Sequence, residues 1–265
     1  MRWENSMLRD YVVIDLEMTG LKVKQDRILE TGAVRVRNGR AAETYGALLC
    51  PGIPLPEEIT ALTNITDEMA AGGRDPEEAM AEFFAFLGDD ILVGHNVIYD
   101  YWFLKQWAVN HQFSFERSAV DTLKLAREFF PKEQKKDLAS LCKYYGIARR
   151  NAHRAADDAW ETFLVFRKLQ EQFGEREEAF VPGPLRCAVR RQTPATEHQK
   201  ENMRRYAAHF GLALPEGFDR LTRSEASRLT DQWILRYGRL PAAHKRRQSR
   251  TDTASDGADT GYGNP

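Results

Sequence analysis

The sequence predicts an α/β domain on a mixed sheet, three antiparallel strands followed by parallel ones, with helices on its faces. Three observations carry this. The continuous apolar run Tyr11-Val12-Val13-Ile14 has the composition of a buried strand. Two further strand-like segments, Ile28 to Val36 and Ala42 to Cys50, flank Asn38-Gly39, a strong two-residue hairpin signal. From Asp75 onward, helical patterns alternate with short apolar strands, the order expected of an α/β chain.

The elements follow in sequence. Asp75-Pro76-Glu77-Glu78 starts a helix, with Asp as cap and Pro in the first turn. Ala79, Phe83, Phe86 and Leu87 then share one helical face. Ile91-Leu92-Val93 is a short buried strand leading into Gly94-His95-Asn96. Residues 98–110 are expected to be helical, and Ala119-Val120-Asp121 to form another short strand. Helices are expected over 122–129, 137–144 and 154–172, the last striped by Ala155, Ala159, Phe163, Phe166 and Leu169. This first domain is expected to span 8–174.

A linker over 175–194 is expected next, marked by Pro182, Gly183 and Pro184. A small helical unit over 195–240 then opens each of its two helices with a capping box, Thr196 to Gln199 and Thr222 to Glu225. Met203, Ala207 and Phe210 stripe the first helix; Leu229, Trp233 and Tyr237 stripe the second. Two such helices bury little apolar area alone, so docking on the main domain or on a partner is expected. Residues 241–265 are polar and Gly-bearing, and are expected to form a disordered tail.

Composition excludes several classes. Hydrophobic residues are 42% and charged residues 29% of the 265, a globular balance. No apolar run reaches the roughly 20 residues of a membrane span. The first ten residues have no apolar signal core, so a cytoplasmic location and no membrane association are expected. Cys50, Cys142 and Cys187 fit no zinc spacing and read as reduced thiols. The net charge of −1 hides an asymmetry: residues 181–265 carry 15 Lys/Arg against 9 Asp/Glu. A basic section on an acidic body points to a polyanion partner, provided some of the body's carboxylates hold cations.

Three clusters bear chemistry. Asp15 and Glu17 are two apart, so on a strand both carboxylates leave the same side. Two such charges repel unless a cation lies between them, and hard divalent ions prefer oxygen ligands. Gly94-His95-Asn96 leads from a buried strand to Asp100, in the first turn of the next helix. His153 precedes a helix that carries Asp157 and Asp158, and a histidine titrating near neutrality suits a general base. Ala155, Ala156 and Ala159 leave room there for close packing on the sheet. Each cluster alone also reads as a solvated strand end, a helix cap or a surface histidine.

In order, Asp-x-Glu, Gly-His-Asn-x-x-x-Asp and His-x-x-x-x-Asp resemble the DEDDh exonucleases of the RNase H-like superfamily. More narrowly, the chain resembles the branch containing the proofreading epsilon subunit of bacterial DNA polymerase III, over about residues 10–173. Oligoribonucleases share a string like Asp15-Leu16-Glu17-Met18-Thr19-Gly20, but their middle motif differs from Gly94-His95-Asn96. Two departures stand out: Tyr99 where Phe is usual, and Asn64 where Gly is common.

The resemblance implies an RNase H-like sheet and a 3′–5′ exonuclease that releases nucleoside 5′-monophosphates. It implies two divalent cations, Mg²⁺ or Mn²⁺. Asp15, Glu17 and Asp158 would hold one, and Asp15 and Asp100 the other; His153 would take the proton from the attacking water. The family spacing favours Asp158 over Asp157. It places the terminal nucleotide near Met18, Thr19, Leu62, Thr63 and Asn96, with the Thr19 backbone N–H and Asn96 as donors. Leu62 reads equally as a core residue. The expected substrate is a single-stranded or frayed 3′ end of DNA, in repair or proofreading, with RNA ends as the alternative. The lead-in Arg186 to Arg205 holds six basic and two acidic residues. It would guide nucleic acid, or the C-terminal unit would dock a polymerase or another protein.

Overall fold

A computed structural model of the chain describes residues 7–215 and 217–241. One sheet organises them, in the order β3-β2-β1-β4-β5-β6. β1 (Tyr11–Met18), β2 (Ile28–Arg37) and β3 (Arg40–Leu48) are antiparallel neighbours. β4 (Leu92–Gly94) and β5 (Ser118–Asp121) run parallel to β1, so the expected mixed sheet is present. Asn38 and Gly39 join β2 to β3 with φ of 52° and 73°, the left-handed pair that a tight hairpin needs.

The period-2 pattern of β1 decides where the site forms. Val12, Ile14 and Leu16 face one core, covered by α3 (Pro76–Leu87) and α4 (Ile98–Asn110). Tyr11 and Val13 face the other, covered by α5 (Thr122–Phe129), α6 (Leu138–Tyr145) and α7 (Ala155–Phe173). Asp15 and Glu17 continue the Tyr11–Val13 row, so alternation delivers both toward the helix α7 side.

Three parts differ from the sequence expectation. The third strand ends earlier, at Leu48; Leu49 still donates to Leu29 O at 2.8 Å and also forms a parallel bridge with Arg74. Two short helices, α1 (Glu57–Thr63) and α2 (Asp67–Ala71), occupy a stretch with little helical periodicity. The segment read as a linker, 175–194, contains a 3-10 turn at Glu177–Phe180 and the edge strand β6 (Gly183–Pro184), which pairs with β5. Phe180 and Leu185 are buried, so this stretch closes the sheet rather than spanning free. An edge tolerates Pro184 because no ladder partner needs its missing N–H.

The C-terminal unit consists of α8 (Glu197–Phe210) and α9 (Arg223–Tyr237), and both capping boxes form as the sequence indicated. Met203, Leu221, Ala226 and Leu229 make a small core of its own. Of the two docking options, the structure shows contact with the main domain. Arg27 pairs with Glu225 at 2.7 Å, and Arg228 with Asp26 at 3.3 Å. Of the expected tail only Pro241 lies among the described residues; the rest lies outside them. No described helix is long and apolar enough to cross a membrane.

Candidate active site

The site gathers at the end of β1 where the ladder to β4 has stopped: β1 pairs β4 only at Val12 and Val13. Beyond them the Leu16 N–H is taken by Asp100, whose Oδ1 accepts it at 2.9 Å. This bond fastens the first turn of α4 to β1, and with it the middle motif to the first. The turn before α4 is held from β5. Asp121 caps α5 through the N–H groups of Leu123 and Lys124, and the same Oδ1 accepts the Asn96 N–H at 2.9 Å. Asn96 itself is left-handed, with φ 65°. His95 Nδ1 lies 2.9 Å from the Thr122 hydroxyl, and burial lowers its pKa.

The third motif arrives through α7, whose start lies directly on the sheet. A Cβ on Gly32 would sit 2.1 Å from the Ala155 backbone, and one on Gly46 would be 3.1 Å from the Ala156 methyl. Gly32 is the register partner of Asp15, so this close approach brings α7 over the acidic end of β1. The helix has no side-chain cap of its own, because Arg154 occupies that position. Glu30, opposite Glu17 on β2, substitutes from the sheet. Its Oε2 accepts the Ala155 N–H at 3.0 Å, and its Oε1 pairs with Arg154 at 2.7 Å. A carboxylate at a helix start is favoured by the exposed N–H groups and the helix dipole.

His153 and Asp158 are tied together by the His153 N–H donating to Asp158 Oδ2 at 3.2 Å. His153 holds φ 61°, a left-handed conformation that few non-glycine residues adopt. Glu17, His153 and Asp158 each present a ligand atom, all within 4.8 Å of one another. Asp157 instead accepts from the exposed Asn151 at 2.9 Å.

The electrostatics are those of crowded carboxylates. Burial, then Asp100, Asp158, Glu17 and Glu30, hold the Asp15 carboxyl well above the usual carboxylate range. Burial and the neighbouring Asp158, Glu30 and Asp100 push Glu17 up to about 8. Burial pushes Asp100 up to about 7 against the opposing Leu16 N–H. Such a set of hard oxygen donors, costly to ionise together, fits divalent cations. Asp15, Glu17, Asp100 and Asp158 are the residues that would hold them.

The RNase_T family profile, described as an exonuclease, matches residues 12–166 of the chain. The chain belongs to the RNase_T exonuclease family. It is 37% identical over 170 residues to the DNA polymerase III subunit epsilon of Aquifex aeolicus, across 64% of this chain and 84% of that one. It is 35% identical over 173 residues to the PolC-type DNA polymerase III of Clostridium perfringens, across 64% of this chain but only 12% of that much longer protein. Among solved structures it resembles Exonuclease X in complex with 5′-overhanging duplex DNA (TM-score 0.52, 23% identity, 64% of this chain and 96% of that one). It also resembles Escherichia coli Exonuclease I with a dA16 oligonucleotide (TM-score 0.56, 19% identity, 64% and 42%). At these identities the structural likeness establishes the fold.

The residues expected at the substrate of this exonuclease are placed unevenly. Leu62 is 47% exposed, so the core reading fails for it. Met18 ends β1, half-buried, just past a register shift in which β2 carries the extra residue. The Thr19 N–H expected to reach sugar or phosphate donates to the Arg27 carbonyl at 2.9 Å, and its hydroxyl accepts the Arg27 N–H at 3.0 Å. Thr63 is buried; its hydroxyl donates to Ile59 O at 2.8 Å and accepts the Ile65 N–H at 3.1 Å. The Asn96 N–H goes to Asp121, so a ligand would be met by its side-chain amide. Asn64 explains one departure from the family pattern: it caps α1 at φ 57°, where Gly and Asn are the tolerant residues. Sequence reasoning missed the anchoring roles of Glu30 and Asp121. A Glu inside the otherwise buried run Ile28 to Val36 was the available signal for the first.

A cavity of about 570 Å³ lies elsewhere, between the C-terminal unit and the loop that ends at Arg27. Its lining includes Trp107, His111, Arg220 and Glu225 and none of the five clustered residues.

Proposed function

We propose that this exonuclease removes nucleotides from the 3′ ends of DNA, releasing nucleoside 5′-monophosphates with Mg²⁺ or Mn²⁺, in proofreading or repair. One observation carries the reading. Three segments far apart in sequence converge at one sheet end, and all four carboxylates and the histidine arrive there. The names of the relatives, a polymerase III epsilon subunit and PolC-type polymerases, support DNA as substrate and a polymerase as partner.

Bound cations would supply charge for the scissile phosphate and lower the pKa of a water. The protein's part is to orient and to move a proton. Asp15, Glu17 and Asp158 would hold one ion, and Asp15 and Asp100 would hold the second. His153, set by its left-handed turn and its bond to Asp158, takes the proton from the attacking water. Asp157 stays out of the reaction. Leu62, exposed beside the αL cap of α1, supplies an apolar contact for the terminal base, with Met18 and the Asn96 amide as further contacts.

The test uses end-labelled single-stranded DNA and RNA of the same sequence, each with Mg²⁺, with Mn²⁺ and with chelator. Metal-dependent shortening of DNA from the 3′ end is the expected result. No shortening of either strand under any condition overturns the proposal, and shortening of RNA alone reassigns the substrate.

A further inference from the structure

Glu161 is a buried carboxylate that the proposed chemistry leaves unused. It lies one turn beyond Asp158 on α7, on the same face, with its side chain 3% exposed. Its partner is Arg149, from the loop between α6 and α7. Arg149 Nε donates to Glu161 Oε2 at 2.6 Å, and its Nη2 donates to Asp158 Oδ1 at 2.6 Å. The other Glu161 oxygen accepts the Arg150 N–H at 3.3 Å. A guanidinium is planar, so anchoring Nε on a buried group sets the direction in which Nη2 points. Asp158 is thereby held from both sides: Oδ1 by Arg149, and Oδ2 beside the His153 N–H.

We infer that Glu161 and Arg149 form a positioning pair that turns Asp158 so that Oδ2 alone is offered to a divalent cation, while fixing the loop that ends in His153. The inference rests on the metal-dependent reading of the site. The pair explains why a carboxylate that reaches no substrate sits buried in α7, and why a cation stands beside a group meant to bind cations. Charge alone would work against the site, because a positive neighbour weakens its hold on a metal. The fork geometry works for it, because a carboxylate held in one orientation loses less freedom on binding.

The two accounts separate by titrating Mn²⁺ calorimetrically into metal-free full-length chain. Arg149→Lys keeps the charge but loses the planar fork that sets the two carboxylates relative to each other. The double variant Arg149→Leu/Glu161→Leu removes the pair together, so that Glu161 is not left as a buried charge without its partner, and its melting temperature reports whether the fold is kept. With the fold kept, both variants are expected to bind Mn²⁺ about tenfold more weakly or worse, as losing a supporting group behind a metal ligand does. Wild-type affinity in Arg149→Lys, or tighter binding in the double variant, overturns the inference and leaves Arg149 as a mere neutraliser. A wild-type chain that binds no Mn²⁺ would instead overturn the proposed function, and the inference with it.

Discussion

The Asp100 carboxylate accepts the backbone N–H of Leu16, 84 positions earlier, at 2.9 Å. The same side chain is therefore a structural tie and a candidate metal ligand. The roles separate by substitution. Asp100→Asn keeps an oxygen for Leu16 and loses the charge, so cleavage should fall about 100-fold or more with little change in melting temperature. Asp100→Leu should also leave the Leu16 N–H unpaired and cost about 1–3 kcal/mol in a denaturant titration.

Asp158→Asn should abolish metal-dependent cleavage, while Asp157→Asn should leave it near the wild-type rate, since Asp157 only receives Asn151. Single-turnover rates on one labelled oligonucleotide make the comparison. An inactive Asp157→Asn beside an active Asp158→Asn would show that the assignment is one residue out of register.

His153 joins two requirements, an imidazole and a left-handed backbone. His153→Ala should lose rate far more than Mn²⁺ affinity, if the imidazole moves a proton and does not ligate. Because Ala at positive φ carries about 1–2 kcal/mol of backbone strain, His153→Asn is the better-folded control. A metal affinity that collapses in both variants would make His153 a ligand, which its place within 4.8 Å of Glu17 and Asp158 also permits.

Gly32→Ala tests the seating of α7. The added methyl would lie 2.1 Å from the Ala155 backbone, and neither backbone can give way cheaply. The expected cost is about 1–3 kcal/mol of stability, with activity lost beyond what the unfolded fraction explains, as Asp158 is pushed from Glu17. Thermal melts and cleavage rates on the same preparation check it.

The legible parts of this molecule were the local ones. Alternation along Tyr11 to Glu17 was enough to put both carboxylates on one face, and small residues at Ala155 and Ala156 were enough to foresee close packing. What stayed hidden depended on partners distant in sequence. Glu30 meets Arg154 and Ala155 across 124 and 125 positions, and nothing near it indicates a helix start. Pro182-Gly183-Pro184 reads as punctuation, yet two of its residues edge the sheet, because pairing is decided by β5. Thr19 and Thr63 show the converse: a resemblance located the residues, but it could not show that their polar groups also bond within the chain.

Stability should depend on pH in an unusual direction. Glu17 and Asp100 have folded pKa values near 8 and 7, above their ordinary values of 4.5 and 3.8. Between those limits the folded state binds more protons than the unfolded one, so stability falls as pH rises through this window. With chelator, the melting temperature should therefore drop from pH 5 to pH 8 by more than in a Glu17→Gln/Asp100→Asn variant. Mn²⁺, which binds the ionised set, should restore more stability at pH 8 than at pH 6. A metal effect independent of pH would contradict this.

Glu30 and Gly32 receive the third motif from a helix that begins at Ala155, after every described strand but β6 has been made. During synthesis, Asp15, Glu17 and Asp100 leave the ribosome long before His153 and Asp158. Fragments arrested before α7 therefore lack two of the five groups, and also the helix whose start neutralises Glu30. With these five groups as the site, cleavage competence would be a late checkpoint in the life of the chain, reached only when the domain is nearly whole.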